Sequence, residues 1–255
     1  MKTICITCQK GGVGKTSSCL AIGDGLARRG HKVLYVDLDP QANLSYTLDG
    51  YGDEGSVIWA LERPKTAKAE VQQTKHGCFI LAASPKLALA DTMFTDTGRE
   101  YRLKEALAHL APDYDVCLLD TPPSLGILTI NALTAADCAI IPTQADIYSL
   151  QGIKQLAGTV EAVRSYTNKG LVLLGLLVTR FNPRAIIRKD IAELLEEAAK
   201  DMGTTVFKSR IRECTAIVEA QAMRKSIFEY APRSNAAKDY AALVDEVVTM
   251  LDLGK

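Results

Sequence analysis

A chain of 255 residues, 47% apolar and 24% charged, has the composition of an ordinary globular protein and the length to bury a sizeable core. Its formal net charge is zero, which excludes a global electrostatic pull on nucleic acid, so any such attraction must come from a local patch. No apolar run approaches the roughly 20 residues of a membrane-spanning helix, and no signal peptide precedes the first strand, so a cytoplasmic location is expected.

The first strand is expected over residues 3–7 (TICIT). It feeds Gln9-Lys10-Gly11-Gly12-Val13-Gly14-Lys15-Thr16, and a helix over 16–29 follows, closed by Gly30. Strand, glycine-rich loop and helix in that order form a phosphate loop. Its backbone N–H groups can curl round a β-phosphate, aided by the helix dipole. Lys15 is placed to reach the β- and γ-phosphates, Thr16 to offer its hydroxyl to Mg²⁺, and Ser17 to lie beside them. Where the literal pattern has a first glycine, this chain has Gln9.

The next strand, 33–36, runs into Asp37-Leu38-Asp39-Pro40-Gln41. Carboxylates at a strand end beside a phosphate loop suit Mg²⁺ and water. The stretch 50–75 is the least regular and is expected to carry a surface helix around Trp59. Strand 79–82 and helix 102–110 precede strand 116–119, which ends in Asp120-Thr121-Pro122-Pro123-Ser124. An apolar strand ending in Asp is a Walker B arrangement, with Asp120 on the Mg²⁺ shell, and the prolines stiffen a turn suited to sensing a γ-phosphate. Helix 128–135, strand 139–141, helix 150–166, strand 171–178, helix 187–199 and helix 235–251 complete the chain. This alternation gives an α/β fold: one P-loop NTPase domain over 1–255, with a twisted, mostly parallel sheet flanked by helices on both faces.

The seven cysteines are scattered, several inside apolar runs, and read as reduced thiols in a core. Cys5 and Cys8 form a CxxC pair, but strand geometry should turn them to opposite faces, and no second pair follows at metal-ligand spacing. None of the three histidines adjoins the motifs, which argues against a histidine base and leaves hydrolysis to positioning and charge.

Lys10 turns the loop into Lys-Gly-Gly-x-Gly-Lys-Thr. In this the chain resembles the deviant Walker ATPases, which include ParA/Soj partition proteins, MinD and the nitrogenase iron protein. The likeness to ParA/Soj extends through Asp37 to Gln41, Asp120 to Gly126, Thr129 to Leu133, Pro142-Thr143-Gln144, Leu150-Gln151-Gly152, Val178 to Asn182, Glu219-Ala220 and Tyr230 to Ser234. The resemblance implies that Lys10 reaches a partner's phosphates across a two-fold axis, as a finger supplied in trans, with a rate gain of about 10³–10⁵. It implies that Asp39 positions the attacking water, that Asp37 supports the metal shell, and that Asn182 reads adenine. It further implies an ATP-gated homodimer that binds DNA without sequence preference and associates with the nucleoid. Slow Mg²⁺-dependent turnover would be stimulated by a ParB-like centromere-binding protein, moving plasmid or chromosomal DNA.

Basic candidates for DNA are Arg184, Arg188, Lys189, Lys208, Arg210, Arg212, Arg224 and Lys225, of which Arg184 aligns with a family arginine linked to DNA. Another family arginine, three residues before Glu219-Ala220, is replaced here by Ala216. Glu193, Glu196 and Glu197 are interleaved nearby, as on a solvated face. Three rivals remain. A MinD-like ATPase positioning cargo on a membrane would end in a basic amphipathic helix, whereas this chain ends Asp252-Leu253-Gly254-Lys255. An iron–sulfur carrier would need cysteines placed to share a cluster across a dimer, whereas Cys117 and Cys138 lie within strand runs and should be buried. A binding module without hydrolysis would not need Lys10, Lys15, Asp39 and Asp120 together. The chain starts at its first strand, so no N-terminal DNA-reading domain is expected.

Overall fold

The computed structural model describes residues 1–50, 56–74, 77–182 and 188–254, with only the backbone of residues 147 and 188–190. Within these, seven strands form one sheet: β1 (Lys2–Ile6), β2 (Val33–Asp37), β3 (Gln72–Gln73), β4 (Phe79–Leu81), β5 (Val116–Asp120), β6 (Cys138–Thr143) and β7 (Val172–Val178). Their order is β3-β4-β2-β5-β1-β6-β7. Every pairing is parallel except β3 with β4 at the edge.

The inner strands are short unbroken apolar runs because both of their faces are covered. Side chains alternate between the two layers with the period of two that a strand imposes. Ile4, Ile6, Val33, Tyr35, Val116, Leu118, Cys138 and Ile140 fill one layer. Cys5, Leu34, Val36, Cys117, Leu119, Ala139 and Ile141 fill the other.

The helices are α1 (Lys15–Ala27), α2 (Asn43–Thr47), α3 (Ser56–Glu62), α4 (Ala90–Met93), α5 (Arg102–Leu110), α6 (Ile127–Ala135), α7 (Ile147–Tyr166), α8 (Arg188–Asp201), α9 (Thr215–Ala222), α10 (Ile227–Tyr230) and α11 (Asn235–Leu251). Helices α3 and α5 to α8 pack on the Cys5 layer, and α1 with α9 to α11 on the Ile4 layer. Helix α1 sits so close to the sheet that a Cβ on Gly23 would collide with the Tyr35 ring. The last helix buries Tyr240, Leu243, Val244 and Val247, and it packs against α1.

The doubly covered, mostly parallel sheet is the expected fold class, and four local expectations change. Strand β1 ends at Ile6, so Cys8 lies in the loop beyond it and packs in the same layer as Cys5. The helix around Trp59 is not a surface element, since Val57, Ile58, Ala60 and Leu61 are buried and Trp59 packs against them. Helix α7 begins at residue 147 rather than 150, because Asp146 caps it by accepting from the Ser149 N–H at 2.9 Å. Helices α2, α4, α9 and α10 and the edge strand β3 are elements that the sequence pattern does not signal.

Sheet order reverses at β1, with β5 and β2 on one side and β6 and β7 on the other. A crevice opens at such a point beyond the carboxyl ends of the strands, and that is where ligands of doubly wound sheets bind. The phosphate loop, Asp37 and Asp120 all leave their strands there.

Candidate nucleotide site

The loop after β1 takes its shape from two left-handed glycines, Gly12 at φ +72° and Gly14 at φ +82°, with Gly14 immediately before α1. Gly11 and Gly12 are exposed, and a Cβ on either would meet nothing within 4 Å, so the cradle is open on its outer side. Val13 is fully buried and anchors the loop from below. Two side chains from distant strand ends hold the backbone in place. The Thr179 hydroxyl donates to the Val13 carbonyl at 2.8 Å, and Gln144 Nε2 donates to the Gly12 carbonyl at 3.1 Å.

Lys15 is buried, and its Nζ donates back to the Lys10 carbonyl at 3.1 Å. Burial lowers the ammonium's pKa from its ordinary value, opposed by the neighbouring Cys8, Asp120 and Asp39. A buried cation with a single neutral carbonyl acceptor is poised for an anion in the cradle. Thr16 and Ser17 occupy the first turn of α1, and Ser17 Oγ accepts from Gln221 Nε2 at 3.0 Å.

Asp37 and Asp120 stand side by side in register on β2 and β5, and both are fully buried. Asp37 is already occupied by its own chain. Its Oδ1 accepts from the Asp39 N–H at 3.1 Å, and its Oδ2 accepts from the Ser45 N–H and hydroxyl at 2.8 and 2.7 Å. Burial, reinforced by Asp39, still pushes its pKa up to about 6 against the pull of Ser45. Asp120 is raised as well, first by burial and then by Asp37. Among the described residues neither Asp120 oxygen has a hydrogen bond of ordinary geometry, although the Thr16 hydroxyl is near enough to favour the charged form. A buried carboxylate with open lone pairs beside a threonine hydroxyl is a donor set that fits Mg²⁺. Asp39 is buried beyond the strand end, its Oδ1 accepting from the Gln41 N–H at 3.0 Å, so a tight turn fixes its direction.

Lys10 points along its own chain. Its Nζ donates to Asp146 Oδ2 at 2.7 Å and to Ser149 Oγ at 3.2 Å, at the start of α7.

A family model described as an AAA domain matches residues 1–173. The chain is 37% identical to the sporulation initiation inhibitor protein Soj of Bacillus subtilis, over 96% of this chain and 98% of that protein. It is 36% identical to the chromosome-partitioning ATPase Soj of Thermus thermophilus, over 97% of this chain and 96% of that one. The chain belongs to the ParA/Soj family of partitioning ATPases. Among solved structures, the cobyrinic acid a,c-diamide synthase of Mycobacterium smegmatis, with bound ATP analogue and magnesium, superposes with a TM-score of 0.84. It is 33% identical, over 100% of this chain and 97% of that one.

The remaining residues singled out from the sequence are scattered. Asn182 is exposed just beyond β7, next to Phe181, which bridges to Arg212. Lys208 and Arg210 are exposed, and the Arg210 guanidinium lies over the Phe181 ring at 5.1 Å. Three other basic candidates are engaged within the chain. Arg212 grips both carboxylate oxygens of Asp239, Arg224 pairs with Asp49 at 2.6 Å, and Lys225 with Glu229 at 3.0 Å. Arg184 lies outside the described residues, as do the side chains of Arg188 and Lys189. Cys117 and Cys138 point to opposite layers of the sheet, where burial pushes their thiols' pKa up, so one chain cannot present both to a cluster.

Sequence reasoning missed Asp146, Ser149, Thr179, Ser45 and Gln221. Only Asp146 and Ser149 carry a local signal, an Asp three residues before a Ser at the head of a helix.

Proposed function

We propose that the chain, as one domain over residues 1–255, is a Mg²⁺-dependent ATPase whose ATP-bound homodimer binds DNA without sequence preference. Hydrolysis releases the DNA and so moves or positions a plasmid or chromosome. The observation that carries the reading is that buried Lys15, with Asp120 and Asp39 as charged neighbours, lies at an open glycine cradle beside the Asp120 carboxylate, unpartnered among the described residues. In this reading Gly11 to Ser17 hold the phosphates and Asn182 faces the adenine. Thr16 and Asp120 would hold Mg²⁺, which would supply neutralising charge to the phosphates. Asp37, which accepts three hydrogen bonds from Ser45 and Asp39, supports the metal shell from behind by fixing the Asp39 turn.

The chemistry assigned to this chain is orientation and charge. Lys15 neutralises the phosphates, and Asp39 orients a water in line with the γ-phosphate. Lys10 leaves Asp146 and serves the partner's site. Turnover is slow until a ParB-like partner stimulates it, and the ATP-bound form gathers on the nucleoid. Burial of the α11 apolar face against α1 favours DNA over a lipid surface as the cargo platform, since that face is not available to lie on a membrane. Among the described residues no helix is long and apolar enough to cross a membrane.

The test is Asp39→Ala in light scattering with ATP and Mg²⁺. The variant is expected to bind ATP, stop hydrolysing and accumulate as a dimer, while ADP leaves it monomeric. A monomer under ATP, or unimpaired turnover, overturns the reading.

A further inference from the structure

Arg224 sits between α9 and α10 with φ +53°, in the left-handed region that favours glycine. Where glycine would be free of strain the chain has a long cation, and that cation makes two contacts. Nη1 donates to Asp49 Oδ1 at 2.6 Å, and the guanidinium carbon lies 4.3 Å from the centroid of the Tyr46 ring. Asp49 is itself left-handed at φ +58°, and its carboxylate is 6% exposed, so the ion pair is largely out of water on the acidic side. Tyr46 and Asp49 belong to α2 and its C-terminal turn.

Helix α2 is the element that holds the Asp37 carboxylate. Ser45 donates twice to Asp37, and Asp37 in turn accepts from the Asp39 N–H. The turn after α2 closes back on it, with the Gly50 N–H donating to the Ser45 carbonyl at 2.8 Å. On the other side, the segment carrying Arg224 is tied to α1. Gln221 donates to Ser17 beside the phosphate loop, and Ser226 donates to Asp24. The α9–α10 connector therefore bridges the helix that starts the phosphate loop and the helix that anchors Asp37 and Asp39.

We propose that Arg224 is a positioning residue for hydrolysis: through Asp49 and Tyr46 it clamps α2, and with it Asp37 and the Asp39 turn, to the α9–α10 connector. The proposal rests on the ATPase reading above, and it removes Arg224 from the DNA-contacting set. A residue that only filled space would affect folding. A clamp affects the geometry of Asp39, hence the chemical step more than nucleotide binding.

The test pairs turnover with hydrogen exchange on the full chain. Arg224→Gly suits the backbone and removes the guanidinium. It is expected to lower kcat about tenfold and leave KM for ATP within about twofold. The amides of α2 from Ser45 to Asp49 should exchange about tenfold faster. Asp49→Asn, which also tolerates a left-handed backbone, should give the same drop, and the double variant should add nothing. Arg224→Lys, which keeps a cation for Asp49 and loses the ring contact, should recover kcat to within about threefold of wild type. Unchanged α2 exchange in both single variants overturns the clamp, as does an unchanged kcat. Loss of DNA retention with α2 exchange unchanged also overturns it and returns Arg224 to a DNA surface. If wild type hydrolyses no ATP, the ATPase reading falls, and α2 exchange still decides the clamp.

Discussion

The Nζ of Lys10 lies 2.7 Å from Oδ2 of Asp146, and the same carboxylate caps the first turn of α7. A lysine proposed to act on a partner's phosphates is thus held by its own chain, and Ser149 is a second acceptor at 3.2 Å. Both side chains are about one-third exposed, at 30% and 33%, so the pair is worth up to about 1 kcal/mol. In the proposed dimer that cost would oppose assembly without preventing it.

Asp146→Asn separates the two tasks of this carboxylate. Asparagine caps a helix as well as aspartate does, so α7 is retained while the charge on Lys10 is released. Release of about 1 kcal/mol corresponds to about a fivefold change in an equilibrium constant. A symmetric dimer opens one such pair in each subunit, so the ATP-bound dimer should form at protein concentrations up to about 25-fold lower, read by light scattering across a dilution series. Weaker or unchanged dimerisation would mean that the pair does not compete with assembly.

Lys15→Ala should abolish nucleotide binding in calorimetry. Lys15 is the buried cation beside the cradle, and the loop glycines cannot replace its charge. Near wild-type ATP affinity in the variant contradicts the assigned role.

Thr179→Val keeps the shape of the side chain and deletes the hydroxyl that bonds the Val13 carbonyl at 2.8 Å and the Thr143 carbonyl at 3.1 Å. Loss of one such bond costs about 0.5–1.5 kcal/mol, and here the cost falls on the loop that must cradle phosphate. ATP affinity by calorimetry should drop about two- to tenfold with the fold intact by circular dichroism. An unchanged affinity would show that the loop holds its shape without β7.

What was legible in the sequence is what local chemistry encodes. A glycine-rich loop between a strand and a helix, and Asp at the ends of two apolar strands, were readable because each signal lies within a few neighbours. The strands' register then brought Asp37 and Asp120 together. The partners of the loop were not readable, since Lys10 and Asp146 are 136 residues apart and Thr179 and Val13 are 166 apart. Helices α2, α4, α9 and α10 span five, four, eight and four residues, too few for an apolar period to show. The ion pairs of Arg212 with Asp239 and Arg224 with Asp49 cross the chain in the same way, so basic residues that looked equivalent in the sequence are not. Lys208 and Arg210 are the exposed ones among the described candidates, and Arg184 remains a candidate from its place in the sequence.

In the proposed cycle ATP gates a DNA-binding dimer. With a net charge of zero, one subunit offers a small basic footprint, and two subunits joined by ATP would double it. Contacts should go to phosphates, so Lys208→Ala, Arg210→Ala and Arg184→Ala should each weaken all sequences about equally. Affinity should fall with salt at a log–log slope of about −0.9 per phosphate neutralised, and each substitution should flatten that slope by about one contact. The direct measurement is a filter-binding titration on random duplex DNA, with ATP and with ADP, at several salt concentrations. Tight, steeply salt-dependent binding with ATP and little with ADP is the expected result; equal binding in both states, or none in either, would contradict the claim.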